Sequence, residues 1–421
     1  MSDTSNLRAL LRNGAFSRYI TGETISMTGT WMQVMAQGWV MANLTNQAVL
    51  LGMVNFAMGI PMIALSLVGG TFADRYSKRN ILLLTQVAQI LCAVTLGFLV
   101  ATGQIRIWHV IAIAFMLGIS ASFEMPSAAA LVPELVGKEL IATAVSIERA
   151  VFHGTRLIGP ALAGSVMAKF GSASAFYANA FSFVALIAAL ATIRPPAGGA
   201  AGSEKQQRGG IKEGFVYVRS DKPTLAMIAL LSATVIFAFP CFSVMMPLYA
   251  KNVLRLGPDK LGLLMGISAI GGLTGSVGLL GIPRHRRRRV LLVAVIGIAL
   301  GLTGLAIAQR FAVAAGSLVV LTLGVSTLGG LTSTIVQERA PGPMRGRVSA
   351  IVGLSFFGLM PFAGLGITSL ADGIGIRTAL LVAGGGYFCV AIAVLLSVGH
   401  HIQEPPTPAA PSDKPVAVPG A

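Results

Sequence analysis

Ionisable side chains lie inside long apolar stretches of this chain, where they are expected to carry chemistry. Glu124 falls in one stretch, and Glu148, Arg149, His153 and Arg156 fall in the next. In a helix, Arg149, His153 and Arg156 share a face, because their spacing is i, i+4 and i+7. A helical rise of about 1.5 Å per residue places Arg156 roughly 22 Å into its helix, near the middle of a bilayer.

An unpaired arginine at that depth is costly, so the sequence predicts a carboxylate partner, either Glu124 or Glu148. Protonating such an acid frees the arginine. A molecule that competes for either group then changes how tightly the proton is held. These residues therefore suit proton coupling, and a purely structural salt bridge between neighbouring helices explains them equally well.

A second set of polar residues forms a stripe along an earlier apolar stretch. Glu23, Ser26, Thr30, Gln33 and Gln37 are spaced by three or four residues and so share one face of a helix. Polar groups facing lipid are costly, so the stripe should face a protein interface or a wet cavity. We expect Gln33 and Gln37 to line a cavity, with hydrogen bonding between helices as the alternative. Glu23 also suits an interfacial charge near the helix end.

The composition identifies lipid as the main solvent of the elements that carry these residues. The chain has 421 residues, 54% hydrophobic and 11% charged, with a mean hydropathy of +0.78. Soluble domains carry roughly 25% charged residues. Repeated apolar stretches of about 20 residues cross a bilayer as helices. The sequence therefore predicts an all-α membrane protein. The three cysteines lack ligand spacing, and neither a metal site nor a cofactor is expected.

Twelve membrane-spanning helices are predicted, six on each side of a polar segment rich in Pro and Gly. They lie near 17–43, 48–73, 81–102, 107–130, 141–169, 173–193, 224–250, 260–282, 290–309, 312–336, 347–371 and 377–399. The expected domains are an N-terminal segment 1–15, a six-helix bundle 16–193, a linker 194–223, a second six-helix bundle 224–399 and a disordered tail 400–421.

The loops alternate in charge along the predicted spans. Most of the 31 Lys and Arg residues fall in the termini, the linker and the loops of one side. The positive-inside rule therefore places both termini in the cytoplasm. The basic run His285–Arg289 could be a nucleic-acid or lipid-headgroup patch. We favour a topology anchor and expect no nucleic-acid partner.

The two halves resemble each other at an offset of about 200 residues, as in transporters built from repeated bundles. Leu131–Glu134, before the fifth span, matches Ile335–Glu338, before the eleventh. Pro160, Ala163 and Gly164 recur as Pro361, Ala363 and Gly364. The repeat predicts two pseudo-symmetric six-helix bundles with a binding site between them near the membrane midplane.

Three segments carry a resemblance to a known family. Gly69–Arg79 resembles the signature loop of the major facilitator superfamily, between its second and third helices. Arg156–Gly164 resembles the Gly-Pro motif of proton-coupled exporters in that superfamily, through Gly159, Pro160 and Gly164. The segment from Ser26 to Gln33 is similar to a bacterial branch that includes enterobactin exporters and macrolide efflux proteins.

The resemblance implies a gate at the cytoplasmic side. Its expected residues are Gly70, Asp74, Arg75, Lys78, Arg79 and Arg345. Asp74 would face the start of the eleventh helix, near Arg345, where the helix dipole favours a carboxylate. The counterpart loop of the second half departs from the signature, with Ile282 and Pro283 where an Asp-Arg pair is expected.

The resemblance further implies a secondary active transporter of the bacterial inner membrane and not an enzyme. Proton-coupled efflux of small amphiphilic molecules, such as a drug, siderophore or metabolite, by alternating access is the leading interpretation. The expected partners are a small-molecule substrate, protons and the lipid bilayer. A proton-coupled importer of a sugar or metabolite is the alternative. A polytopic membrane enzyme or sensor is disfavoured, since the sequence holds neither a catalytic constellation nor a sizeable soluble domain.

Overall fold

The computed structural model describes residues 2–193, 211–278 and 282–398. In the first half, a short helix α1 (Ser2–Arg12) precedes six long ones. These are α2 (Gly14–Leu44), α3 (Ala48–Arg75), α4 (Lys78–Ala101), α5 (Ile107–Leu135), α6 (Ile141–Phe170) and α7 (Ala173–Thr192). We call the end of the bundle where α2 begins the terminus end, and the end where α2 finishes the far end.

The second half repeats this pattern after a short helix, α8 (Ile211–Ser220). Its first rod joins α9 (Lys222–Ala233), α10 (Phe239–Ser243) and α11 (Met246–Leu248). The next rods are α12 (Pro258–Val277), α13 (Arg284–Ile307) and α14 (Phe311–Arg339). The last two are α15 (Arg345–Gly353) continued by α16 (Met360–Ile374), and α17 (Ile376–Val398). The described residues thus form twelve rods, which confirms the predicted all-α membrane fold.

Ten of the twelve rods are long and apolar enough to cross a membrane on length and composition alone. The other two, α2 and α6, are the helices in which the sequence analysis placed the polar stripe and the cluster around Arg156. Their polar residues lower the hydropathy that the other rods retain. The rods that depart from the plain membrane-helix pattern are therefore those predicted to do chemistry.

The predicted linker 194–223 is only partly described. Residues 194–210 and the predicted tail 400–421 lie outside the described residues. The rest of the linker is helical and not irregular, because α8 packs on α15 and α9 already begins at Lys222. Residues 2–12 of the predicted N-terminal segment also form a helix, whose Leu10 is fully buried.

Each half packs in the same manner. In the first half, α3 packs on α5, and α7 packs on α2 and α4; in the second, α14 packs on α12 and α13, and α17 packs on α13. The halves meet along two helix pairs, α6 with α12 and α3 with α16. These two seams decide how one half can move relative to the other.

Glycines allow the backbones to approach at both seams. A Cβ atom at Gly164 would lie 2.6 Å from the carbonyl oxygen of Pro258, and one at Gly262 would collide with the carbonyl of Pro160. On the other seam, a Cβ at Gly59 would collide with the ring of Pro361. Small residues at helix crossings are the usual means of close packing in a membrane.

The described residues of the second half contain three π-helical segments, of which Tyr249–Val253 ends the first rod and the other two interrupt rods. Thr234–Ala238 lies just before Pro240, and Leu354–Gly358 lies just before Pro361. Proline lacks the N–H that would bond to the carbonyl four residues earlier, so the local ladder must shift. The two turns are therefore placed by the prolines that follow them.

Candidate functional site

Glu124 lies in α5 and is held by two glutamines of α4. The Nε2 of Gln86 donates to its Oε1 at 2.7 Å, and the Nε2 of Gln89 donates to its Oε2 at 2.7 Å. Gln86 and Gln89 are buried, at 0% and 6% exposure. The spacing i, i+3 puts both amides on one face of α4, opposite the acid. Each carboxylate oxygen thus has a neutral donor.

The amide pair extends into a network across three helices. Ser26 of α2 lies 3.4 Å from the Oε1 of Gln86 and donates to it. Ser120 of α5 accepts from Gln89 at 3.4 Å and donates to the carbonyl of Thr85 at 3.2 Å. Networks of this kind fix side-chain orientation in a low-dielectric interior.

Two further acids lie near Glu124. Glu23 on α2 is close enough to Glu124 and Glu148 for their charges to interact. The Tyr19 hydroxyl is within electrostatic range of all three acids. The sequence suggested that Glu23 could be an interfacial charge near the helix end. In the structure, Glu23 is instead within electrostatic range of Glu124 on α5 and of Glu148 on α6.

Arg156 does not have the carboxylate partner that the sequence predicted. Its guanidinium carbon lies 5.3 Å from the ring centroid of Trp31 on α2. In the part of the chain that the structure describes, no ion pair joins it to Glu124 or Glu148. The expectation was wrong because the Gln86 and Gln89 amides occupy both oxygens of Glu124, while an aromatic face receives the cation.

The rest of this cluster stays on α6. Arg149 is exposed and His153 is partly buried beside Phe152, with ring centroids 5.5 Å apart. His153 is near enough to Arg149 and Arg156 to feel both charges. The predicted shared face of these three residues is therefore present, without a carboxylate bound to it.

The polar stripe of α2 joins helices and does not line a cavity at Gln33 and Gln37. The Nδ2 of Asn179 on α7 donates to Gln33 at 2.8 Å, and Gln37 donates to the carbonyl of Val110 on α5 at 3.3 Å. Both glutamines are buried. The cavity expectation was wrong here, because neighbouring polar groups satisfy these amides. Thr30 bonds back to its own helix at Ser26.

The Gly-Pro segment of α6 is a packing surface. A Cβ at Gly159 would lie 2.5 Å from the Cβ of Trp31 on α2, and Gly164 faces Gly262 on α12. Pro160 is buried between these two contacts. The segment thus sets how closely α6 approaches α2 in its own half and α12 in the other half.

At the terminus end, the predicted gate is not assembled. Asp74 and Arg75 are exposed, and within the described residues Asp74 has neither a hydrogen bond nor an ion pair. Arg345 bonds to the carbonyl of Ala340, in its own half, at 3.3 Å. The expected contact between Asp74 and the start of α15 is absent in this state. Among the described residues, no polar contact joins the halves at this end.

The other loop residues anchor the loop within the first half. Lys78 forms a 2.7 Å ion pair with Glu134 at the end of α5. Arg79 donates to the carbonyls of Leu190 and Ala191 at the end of α7, at 2.6 and 3.1 Å. Gly70 has open space around it.

The far end is sealed by a contact that the sequence analysis missed. Asp372, at the end of α16, accepts hydrogen bonds from the backbone N–H groups of Ala48 at 2.5 Å and Val49 at 2.9 Å. These are the first residues of α3, so an acid of the second half caps a helix of the first. The sequence feature that could have indicated this contact is an acid, Asp372, at the end of the eleventh apolar stretch.

Two more contacts reinforce this seal. Lys251 donates to the carbonyl of Ala42 at 2.6 Å, and Asn252 donates to the side chain of Asn46 at 3.4 Å. Every polar contact recorded between the halves in the described residues lies at the far end. The polar contacts that hold the halves together in the described residues therefore lie at the far end.

The linker helix α8 and Asp221, which directly follows it, are bound to helices of the second half. Arg339 binds both carboxylate oxygens of Asp221, at 2.7 and 2.8 Å, and Glu213 pairs with Arg347. Burial by itself would raise the pKa of Asp221, but the Arg339 guanidinium and the Thr224 donors outweigh it and hold that pKa below its ordinary value.

Comparisons with known proteins agree with this architecture. A family described as transmembrane secretion effector, of the major facilitator type, matches residues 5–415. The chain is 24% identical over 364 residues to the multidrug efflux pump Tap of Mycolicibacterium fortuitum, covering 84% of this chain and 88% of that protein. It is 22% identical over 378 residues to macrolide efflux protein A of Streptococcus pyogenes, covering 88% and 93%.

A solved structure shares the fold. A bacterial homologue of the human lysosomal transporter Spinster, in an inward-facing and occupied conformation, superimposes with a TM-score of 0.71 at 12% identity, covering 94% of this chain and 98% of that one. The family and these relatives are membrane transporters and not enzymes, which confirms the resemblance drawn from the loop and Gly-Pro motifs.

Proposed function

Because the chain belongs to the transmembrane secretion effector family of the major facilitator superfamily, we propose that it exports small amphiphilic molecules in exchange for protons, by alternating access. Its relatives named above are called a multidrug efflux pump and a macrolide efflux protein, which supports export over import. The cargo is a drug, siderophore or metabolite with an apolar body.

The arrangement of Glu124 carries the proposal. A carboxyl within a membrane span is costly and marks a proton or ion pathway. Both oxygens of Glu124 accept from neutral amides and neither from a cation. An acid held in this way can gain and lose a proton without breaking a salt bridge, because an amide group presents an acceptor as readily as a donor.

The neighbouring acids extend this site. Glu23 lies within electrostatic range of both Glu124 and Glu148, so a proton gained or lost by either of these acids alters the charge around Glu23. A substrate with a positive or hydrogen-bonding group that enters beside them competes with protons for the same carboxyls. Such competition is the linkage that exchange transport requires. Arg156, stacked on Trp31, sets the opposite charge on the α6 side.

The state of the halves fits one step of the cycle. The excess of Lys and Arg on the side of the termini supports placing the terminus end in the cytoplasm of a bacterial inner membrane. The site would then be reached from the cytoplasm while the Asp372 seal closes the outer face. Rocking of the halves would break that seal and bring Asp74 toward the start of α15.

Proteoliposomes that contain the full chain and a pH-sensitive dye test the proposal. Efflux substrates should drive proton movement in the opposite direction to their own. Glu124→Gln should lower this coupled flux at least about tenfold, since an amide cannot carry the proton. Glu139→Gln, an exposed acid in the turn that follows α5, is the matched control and should leave the flux unchanged.

Two outcomes would contradict the proposal. Full proton-driven efflux by Glu124→Gln would remove Glu124 as the carrier. Movement of substrate and protons in the same direction would make the protein an importer.

A further inference from the structure

A groove on the lipid-facing flank of the second half has no role in the transport site. It lies at the terminus end between α12, α13 and α14 and encloses about 500 Å³. Its walls include Gly275 of α12, Gly278 directly after α12, Val290 and Val293 of α13, and Leu323 of α14. The lining is thus mostly aliphatic or glycine, which suits a hydrocarbon chain.

The groove opens to the bilayer and not to the transport pathway. Val293 in the groove wall is 67% exposed, and Val277 beside the groove is 63% exposed. Leu300, two turns deeper along α13, is 62% exposed. Large aliphatic side chains left this open on a membrane helix face acyl chains. Glycine at 275 allows α14 to come close, because a Cβ there would lie 2.6 Å from the Leu323 carbonyl oxygen.

A cation stands at the mouth of the groove. Arg286 lines it and lies one turn before Val290 on α13. From Arg286 to Val293 the helix rises about 10 Å, so the charge lies at headgroup level when the groove lies among acyl chains. Arg286 is exposed and has no ion-pair partner among the described residues.

The nearest acid is already engaged elsewhere. Glu338 accepts two 2.8 Å hydrogen bonds from Arg287 and lies 3.2 Å from Arg284. This pairing joins α13 to α14 and leaves Arg286 with its full charge. A phosphate is the complementary group for such an arginine.

We propose that this groove is a binding site for an anionic glycerophospholipid, with its phosphate on Arg286 and one acyl chain between α12, α13 and α14. The lipid fills the space beside a helix pair that must keep its packing while the halves rock. Within the basic run of α13, Arg284 and Arg287 thus bind within the protein, whereas Arg286 binds lipid.

Native mass spectrometry of the full chain in detergent tests the site, with phosphatidylglycerol and phosphatidylcholine of identical acyl chains as probes. The chain should retain phosphatidylglycerol at about fivefold lower concentration than phosphatidylcholine, the difference expected for one basic residue at a lipid surface. Arg286→Ala should remove this preference. Arg288→Ala removes the same charge from another face of α13 and should retain it.

A second variant separates a groove from general charge attraction. Val293→Trp fills the groove from an exposed position and should lower retention of both lipids while every arginine remains. If Arg286→Ala and Arg288→Ala weaken binding equally and Val293→Trp has no effect, lipid is held only by diffuse charge and the proposal is overturned. Equal retention of the two lipids by the unaltered chain would overturn it as well.

Discussion

Each end of the molecule has an acid at the end of a rod, but only the acid at the far end is bound to a helix of the other half. At the far end, Asp372 of the eleventh rod caps the first residues of α3, across the halves. At the terminus end, Asp74 at the close of α3 is exposed and unbound, although the start of α15 offers an equivalent helix end. Asp372 binds the start of α3, and the proposed cycle has Asp74 of α3 bind the start of α15 in the opposite state, so that the two contacts alternate.

The difference shows what holds one state. Asp372 is exposed, and loss of a side chain that caps a helix start costs roughly 0.5–2 kcal/mol. A contact of this strength is small enough to be reversed by binding of another group. The acid group around Glu124 belongs entirely to the first half, and the seal links both halves. In the proposed mechanism, proton binding and closure are therefore separate events, which packing at the two seams between the halves must connect.

The largest effect is expected from the α6–α12 seam. Gly262→Val should reduce transport more than about tenfold, because the new side chain meets the Pro160 carbonyl and keeps the halves from closing at the far end. Gly272→Val, on the same helix but in open space, should retain transport. Both are measured as substrate efflux from proteoliposomes with protein insertion checked, and normal efflux by Gly262→Val would contradict this role.

Removing the far-end cap should have the next largest effect. Asp372→Ala should shift the balance toward an open far end about tenfold, since two backbone donors of α3 lose their acceptor. Spin-label distances across the far end report this balance. Asp259→Ala, an exposed acid at the start of α12 on the same face, serves as control. An equal shift in both variants would show that only surface charge matters there.

A smaller effect is expected at the linker helix. Asp221→Asn should speed hydrogen exchange of the α8 amides about fivefold, because the Arg339 pair is lost. The Asp221 pKa is lowered on folding, so its stabilising contribution is present above the ordinary carboxyl value of about 4 and is lost only as pH falls through the lower folded value. Corrected exchange rates at about pH 5 and pH 7 should therefore agree in the unaltered chain. A rise at pH 5 would contradict this assignment.

The smallest effect is expected at the unassembled gate. Asp74→Asn should lower transport two- to threefold, with normal expression and insertion. This corresponds to about 0.4–0.7 kcal/mol, within the range expected for an exposed charge at a helix start. Asp74→Glu should retain activity. Transport that stays unchanged in Asp74→Asn would reduce the loop to a topology signal.

The sequence was sufficient for the helices and the loop motif, since hydropathy and charge act locally. It also located Glu124 and the α6 cluster. It failed on their partners, because Glu124 meets Gln86 and Gln89 through the packing of α4 on α5, which no spacing within one helix reveals. Two glutamines three residues apart in an apolar span were the available clue.

Other parts of the site depend on packing between rods. Gln33 and Gln37 looked like cavity residues, yet Asn179 and the Val110 carbonyl satisfy them. Which end is sealed is likewise a property of the relative position of the halves, to which local patterns contribute little. The repeat does not relate Asp372 to Asp74, because the counterpart of the Asp74 loop holds Ile282 and Pro283.

The central claim is that a proton on Glu124 decides which end is closed. Spin labels at positions 46 and 252 report the far end, and labels at 76 and 349 report the terminus end, in a chain without its three cysteines. Acidification from about pH 8 to about pH 5 should change the two distances in opposite senses, and Glu124→Gln should abolish that response. A full response to pH in Glu124→Gln, or two distances that change in the same sense, would contradict the account.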